Sequence, residues 1–292
     1  MPRDGAASLS LDDLSLFVSG RFGRFVNPFA EAELAQVDLA RTGSGGGEGG
    51  DLVLERFYND SFLSEAVTLR VGKMLAPVGE WNEIHANPLV LTTVRPAVTY
   101  RNFSEYVTGA SLIYSDPFAR WPDVQLYWQP EGELSERPGH LVEHHYESVE
   151  GLHVSLPLGL LDKVGASFQH ARDEAGVDQS LIGLDFHYTL DRLTLQGEAT
   201  WSDLGNDSAG NARDGEWGAY AAASFALDDQ WSLQGWYEGF ADRTRASTAH
   251  DVLFGVTWKP QPAIVGRLEY LQNFGGTEIN PTGLYASWSV LF

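Results

Sequence analysis

The sequence predicts an all-β chain: a transmembrane antiparallel β-barrel of about 14–16 strands, with one long loop (about 75–105) folded into or over the lumen. Three observations carry this expectation. Most of the chain alternates apolar and polar residues with period 2, the pattern of strands with one apolar face. No run approaches the roughly eighteen apolar residues that a membrane helix needs, while the polar faces carry mid-strand Glu, Asp, Arg, Gln and His that a dry sandwich core does not tolerate. The apolar faces also repeatedly end on an aromatic (Trp201, Trp217, Trp231, Trp258, Phe274 and Trp288), which sets rings where two membrane interfaces would lie.

The last ten residues show the pattern most clearly. Leu284, Ala286, Trp288, Val290 and Phe292 take one face, and Tyr285, Ser287 and Ser289 the other. Such an apolar edge is an aggregation hazard in water, and closing it onto the first strand of a barrel removes the hazard. Composition agrees. The 9 Trp, 11 Tyr and 15 Phe are enough for two aromatic girdles. The absence of cysteine excludes disulfides and thiolate metal sites. Net charge is 19 − 40 = −21, with lysine only at Lys73, Lys163 and Lys259, which argues against nucleic-acid partners. No apolar stretch follows Met1-Pro2-Arg3-Asp4-Gly5, so a secretory signal peptide is expected to have been removed or replaced.

Taken in order, residues 1–13 are small and polar and are expected to form a flexible N-terminus before a single domain over 14–292. Leu14, Leu16, Val18 and Phe22 open the first strand, which breaks near Asn27-Pro28, and a second runs from Phe29 to Leu39. The glycine-rich stretch 41–50 reads as a surface loop, since no Gly-Lys-Ser/Thr follows it to make a phosphate cradle. Strands over Leu52–Asn59 and Ala66–Met74 come next. Alternation then stops from Leu75 to about Glu105, with Pro77, Pro88 and Pro96 spread through a stretch too apolar to be a solvated tail. Regular alternation resumes at Tyr106 and continues to the end, interrupted by the turn 116–122 and the charged loop 131–147. This gives about fifteen segments. A single-chain bacterial barrel has an even number, so one segment within 14–40 is expected to be miscounted.

At this point the chain resembles the Gram-negative outer-membrane porins, including the phosphate-selective porin superfamily. The terminal strand ending on an aromatic carries part of the likeness. In outer-membrane barrels this strand, here Trp288, Val290 and Phe292, is the signal read by the barrel-assembly machinery. The rest lies in Leu69-Arg70-Val71-Gly72-Lys73-Met74-Leu75-Ala76-Pro77-Val78-Gly79, similar to a strand-end motif that leads into a pore-side loop. The resemblance implies a bacterial outer-membrane location among lipid and lipopolysaccharide, and often a homotrimer. Anion-selective members line the pore with Arg and Lys, and this acidic chain departs from that pattern.

Inferred pore-lining groups are Arg21, Glu55, Arg70, Asp185, His187, Glu198, Glu238, Arg267 and Glu269. The best candidates for a constriction are Glu80, Glu83, His85, Arg95 and Arg101 in the long loop. Two arrangements fit the wall charges, an open water-filled lumen or cross-strand pairing in a plugged one. Two also fit the loop, inside the lumen or capping its mouth. His140, His144 and His145 share a loop with Glu143 and Glu147 and are weak metal candidates, because the loop shows no helical spacing. Neither Gly-x-Ser-x-Gly nor His-Glu-x-x-His occurs, so no catalytic residue and no cofactor is expected. The leading expectation is a passive channel for small hydrophilic solutes, general or weakly cation-preferring because acidic rings favour cations. The alternative is a structural barrel sheathing a partner such as an electron-conduit cytochrome or a secretion component. An outer-membrane hydrolase comes third. If the loop lies inside, deleting residues 80–100 will enlarge single-channel conductance; unchanged conductance would place it outside.

Overall fold

The computed structural model describes all residues except 1–6, 43–48, 85, 87, 140, 160, 206–210, 277 and 292. Fifteen strands form one antiparallel sheet in strict sequence order. They are β1 (Ser8–Ser19), β2 (Pro28–Arg41), β3 (Gly49–Phe62), β4 (Val67–Leu75), β5 (Tyr106–Tyr114), β6 (Asp123–Gln129), β7 (Tyr146–Pro157) and β8 (Lys163–Asp173). There follow β9 (Asp178–Leu190), β10 (Leu193–Gly205), β11 (Gly215–Ala226), β12 (Trp231–Ala241), β13 (Ala249–Gln261), β14 (Ile264–Gly275) and β15 (Gly283–Val290). The helical pieces are α1 (Trp81–Ile84) and one 3-10 turn (Ala97–Thr99), both within the long loop between β4 and β5. Among the described residues no helix is long and apolar enough to cross a membrane.

Strand β1 begins at Ser8, earlier than the expected start at Leu14, and ends at Ser19, so Phe22 lies beyond it. The expected even number is not what forms. Residues 14–40 hold parts of two complete strands, β1 and β2, rather than a miscounted one. Because every neighbouring pair is antiparallel, the edges β1 and β15 run in the same direction, and among the described residues no ladder joins them.

The connections sort by end. The two longest, 76–105 and 130–145, lie at one end together with 206–214. The two-residue turns 191–192 and 262–263 lie at the other. The extremes follow the asymmetry of membrane barrels, while the eight-residue connections 20–27 and 115–122 share the turn end.

Period-2 alternation sets the two faces. Outward side chains stay exposed on an isolated chain (Leu184 66%, Phe254 68%, Leu284 69%), as a lipid-facing surface requires. Tryptophans rim this surface. At the turn end Trp231, Trp258 and Trp288 follow one another with centroids 5.8 Å apart at each step. Gly266, paired with Trp288, leaves room for this row: a Cβ there would come within 3.1 Å of the Trp288 ring. At the loop end Trp201 pairs with Trp217 across β10 and β11. The expected girdles therefore form at both ends. Leu184 sits mid-strand on the outer face, so Leu184→Arg places a cation at the hydrocarbon midplane. Urea unfolding in lipid vesicles should show a loss of about 2–4 kcal/mol, while Leu190→Arg, nearer the strand end, should lose about 0–1.

Candidate functional site

The long loop folds inward, and its backbone explains how. At three places a glutamate on the inner wall accepts two consecutive backbone N–H groups of the loop. Glu198 on β10 takes Glu80 N (3.1 Å) and Trp81 N (2.8 Å). Glu238 on β12 takes Ala97 N (2.9 Å) and Val98 N (2.8 Å) at the 3-10 turn. Glu269 on β14 takes Thr93 N at 3.0 Å to both oxygens and Val94 N at 3.4 Å. A carboxylate offers two acceptor oxygens, and charge-assisted bonds of this kind are about twice as strong as neutral ones. Thr93 also reaches Ser287 on β15 (2.6 Å), and Ser104 N donates to Gln169 on β8 (2.9 Å). One loop can touch β8, β10, β12, β14 and β15 only if the sheet curls around it.

Gly79 starts this docking. Its φ is +70°, left-handed backbone that glycine adopts without steric cost, and a Cβ there would lie 2.0 Å from the Glu198 carboxylate. The strand-end motif singled out in the sequence thus ends at the residue where the loop first meets the far wall.

Packing completes the plug. Trp81, Val94, Ala97 and Val98 of the loop meet Tyr220, Ala222, Trp236, Phe240, Leu253 and Leu271 of β11–β14 in one buried cluster. Each fully buried side chain of this size contributes about 1.5–3 kcal/mol. A second cluster joins Ala76, Val78 and Phe103 to Val107, Tyr127, Val149 and Leu181. The inner face of β11–β14 is therefore not the uniformly polar surface expected from alternation; it is apolar where the loop covers it.

The site residues named from the sequence divide into groups. Arg70, Glu80, Glu83 and Asp185 come together. Glu80 bridges to Lys163 (3.3 Å) and His187 (3.4 Å), and Glu83 is pushed above the usual carboxylate range, first by loss of solvent inside the barrel, with Lys163 and Arg70 opposing and Asp185 and Glu80 adding to the shift. Arg70 forks onto Asp60 at 2.8 and 2.9 Å. Glu198, Glu238 and Glu269 face inward but lie buried beneath the loop, where they hold its backbone instead of meeting lumen water. Arg95 and Arg101 likewise serve the loop: Arg95 bonds Thr99 (2.9 Å), Glu105 (2.8 Å) and Asn82 (3.0 Å), and Arg101 pairs with Glu143. Arg267 is buried against the loop carbonyl of Val90. Arg21 is not on a strand; it lies in the 20–27 connection over the Phe62 ring (5.4 Å). Trp288 and Val290 sit on the exposed outer face of β15. His85, His140 and Phe292 lie outside the described residues.

Sequence reasoning missed a second layer of pinning by other loops. Arg243, between β12 and β13, reaches Glu216 on β11 through Nε and Nη2 and Asp173 on β8 through Nη1, each at 2.9 Å. Arg137, in 130–145, reaches Glu55 on β3 (2.8 Å), which Tyr106 also approaches. Lys73 is fully buried against Glu133 (2.6 Å). His144 also packs here, and burial, then the neighbouring Arg243 guanidinium, hold it below the usual imidazole range. Among the described residues no group of three or more His, Cys, Asp or Glu converges as a metal site. His153, Ser167 and Asp185 do approach one another, but both partners meet the same ring nitrogen, Nδ1, at 2.9 and 4.0 Å. A nucleophile relay needs the two nitrogens on opposite tasks.

No family model matches the chain, and no curated protein matches it. Solved structures do. The chain is similar to the loop L8 deletion mutant of OmpT, an outer membrane protein of Vibrio cholerae, at 14% identity, covering 93% of this chain and 87% of that one with a TM-score of 0.65. It is similar to an anion-selective porin from Comamonas acidovorans (14% identity, 95% and 84% covered, TM-score 0.64) and to Salmonella typhi OmpF (12%, 95% and 88%, 0.65). The trimer form of Vibrio cholerae OmpT matches at 12% identity over 98% of this chain and 92% of that one, with a TM-score of 0.61. The fold is that of outer-membrane porins.

The glutamate pins can be tested singly. Glu238→Ala orphans two buried N–H groups at about 1–3 kcal/mol each, so trypsin should cut the folded protein faster after Arg101 than it cuts wild type.

Proposed function

We propose that this protein is an outer-membrane channel for passive diffusion of small hydrophilic solutes, general or weakly cation-preferring, with its passage running between the inward loop and the inner wall of β1–β4. The observation that carries this reading is the one-sided docking of the loop. Its wall contacts fall on β8, β10, β12, β14 and β15. On the other side, the inner wall around Arg56, Arg70 and Tyr58 is only partly buried, and Glu83 of the loop is exposed. A solute crossing there meets Glu83 on the loop side and Arg70, already neutralised by Asp60, on the wall, while Glu80 is paired with Lys163. The unbalanced charge favours cations.

The porin-like structures support both the channel reading and the outer-membrane location. A homotrimer is part of the proposal, since a similar protein was solved in a trimer form. A sheath for a threaded partner fits less well, because the chain's own loop and two buried clusters occupy the lumen.

In planar bilayers the purified protein should give steady conductance by itself. Under a KCl gradient its reversal potential should indicate modest cation preference, and Glu83→Gln should move it towards zero. Absence of conductance would sink the channel; clear anion preference would sink the charge argument and leave the pore.

A further inference from the structure

The inner wall of β1–β3, where Tyr58 is partly buried against the cluster of Ala76, Val78 and Phe103, carries a feature that ion passage does not require. Three aromatic rings on the inner faces of β1, β2 and β3 run side by side. Phe17 and Phe29 have centroids 6.2 Å apart, and Phe29 and Tyr58 stack at 5.1 Å with planes 14° apart. Phe17 is 44% exposed although it shares its face with Asp13 and Ser15 and not with outward Leu16 and Val18. A row built only for packing would be covered.

Two guanidiniums lie on these rings. That of Arg56 is 4.9 Å from the Phe29 centroid and that of Arg70 is 4.0 Å from the Tyr58 centroid. Each is bound to a carboxylate, Arg56 to Glu31 and Arg70 to Asp60. The pairs cancel in charge, so the strip has little to hold a free ion. They still set hydrogen-bond donors and acceptors beside the ring faces, since a carboxylate keeps spare lone pairs and a guanidinium has five N–H groups.

We propose that Phe17, Phe29 and Tyr58, flanked by the Arg56–Glu31 and Arg70–Asp60 pairs, form a binding strip for neutral pyranose saccharides in transit. An apolar C–H face of a pyranose would lie on the rings, and its hydroxyls would both donate to the carboxylates and accept from the guanidiniums. The paired charges give an ion of either sign no net attraction, whereas a neutral polyol can both donate and accept along the strip. This assignment rests on the channel reading.

The test is current blockade in planar bilayers with maltohexaose as probe. Wild type should show concentration-dependent interruptions of its open-channel current. Phe29→Ala/Tyr58→Ala should shorten their duration about tenfold while the channel still conducts. Phe29→Leu/Tyr58→Leu keeps apolar bulk without a ring face and should shorten them as well; heat-modifiable mobility on gels confirms that both variants fold. A conducting wild type that maltohexaose never interrupts, or equal durations in all three proteins, would overturn the strip and leave the channel. No conductance at all would overturn both.

Discussion

Three glutamates two strands apart, Glu198, Glu238 and Glu269, each accept a pair of loop N–H groups, and the interior of this protein is arranged around that repeated contact. A thirty-residue loop has few backbone partners of its own. Inside a membrane barrel, away from bulk water, each unmet N–H costs about 1–3 kcal/mol. The wall supplies the missing acceptors at regular intervals. In return each buried carboxylate gains donors, which is the condition for tolerating a charge at low dielectric. The same contacts draw the loop towards β8–β15, although Ala76, Val78 and Phe103 still share a cluster with Met74 of β4 and Tyr58 of β3.

The two faces of the sheet therefore obey different rules. Outside, lipid asks for apolar residues throughout with aromatic borders, and the sheet complies with little variation. Inside, the surface changes along the circumference. It is apolar under the loop, acidic where the loop backbone docks, and mixed aromatic and charge-paired where the loop is absent. On the proposed channel reading, selectivity would depend on the few groups that loop docking leaves unpaired, such as Glu83, more than on net charge. Part of the acidic excess of −21 cannot be read as pore charge, since Glu55, Glu198, Glu216, Glu238 and Glu269 are buried and engaged.

This difference also decides what could be read from the sequence. Outward faces repeat every second residue under one constraint, so Leu184, Trp201 and Trp258 could be assigned by alternation alone. The loop announced itself by the loss of alternation and by apolar residues too numerous for a solvated tail. Its docking surface left a weaker trace: Trp236, Phe240, Leu253 and Leu271 stand on faces that alternation marks as polar, and such interruptions point to a covered inner wall. Which glutamates would hold backbone could not be read, because Glu198 pinned under the loop and Glu83 open to the lumen carry the same chemistry. Arg21 was misplaced because its spacing continues that of β1, although the strand stops at Ser19. The arginines of distant loops, Arg137 and Arg243, had no local signal, since their partners lie on strands far away in sequence.

The most direct test of the inward loop uses the absence of native cysteine. Thr93 and Ser287 hydroxyls are 2.6 Å apart across the lumen. The account predicts that Thr93→Cys/Ser287→Cys, refolded under oxidising conditions, forms an intramolecular disulfide in the folded barrel and conducts as wild type does. A folded barrel in which both thiols stay free and react readily with a bulky maleimide would place the loop outside and contradict the account.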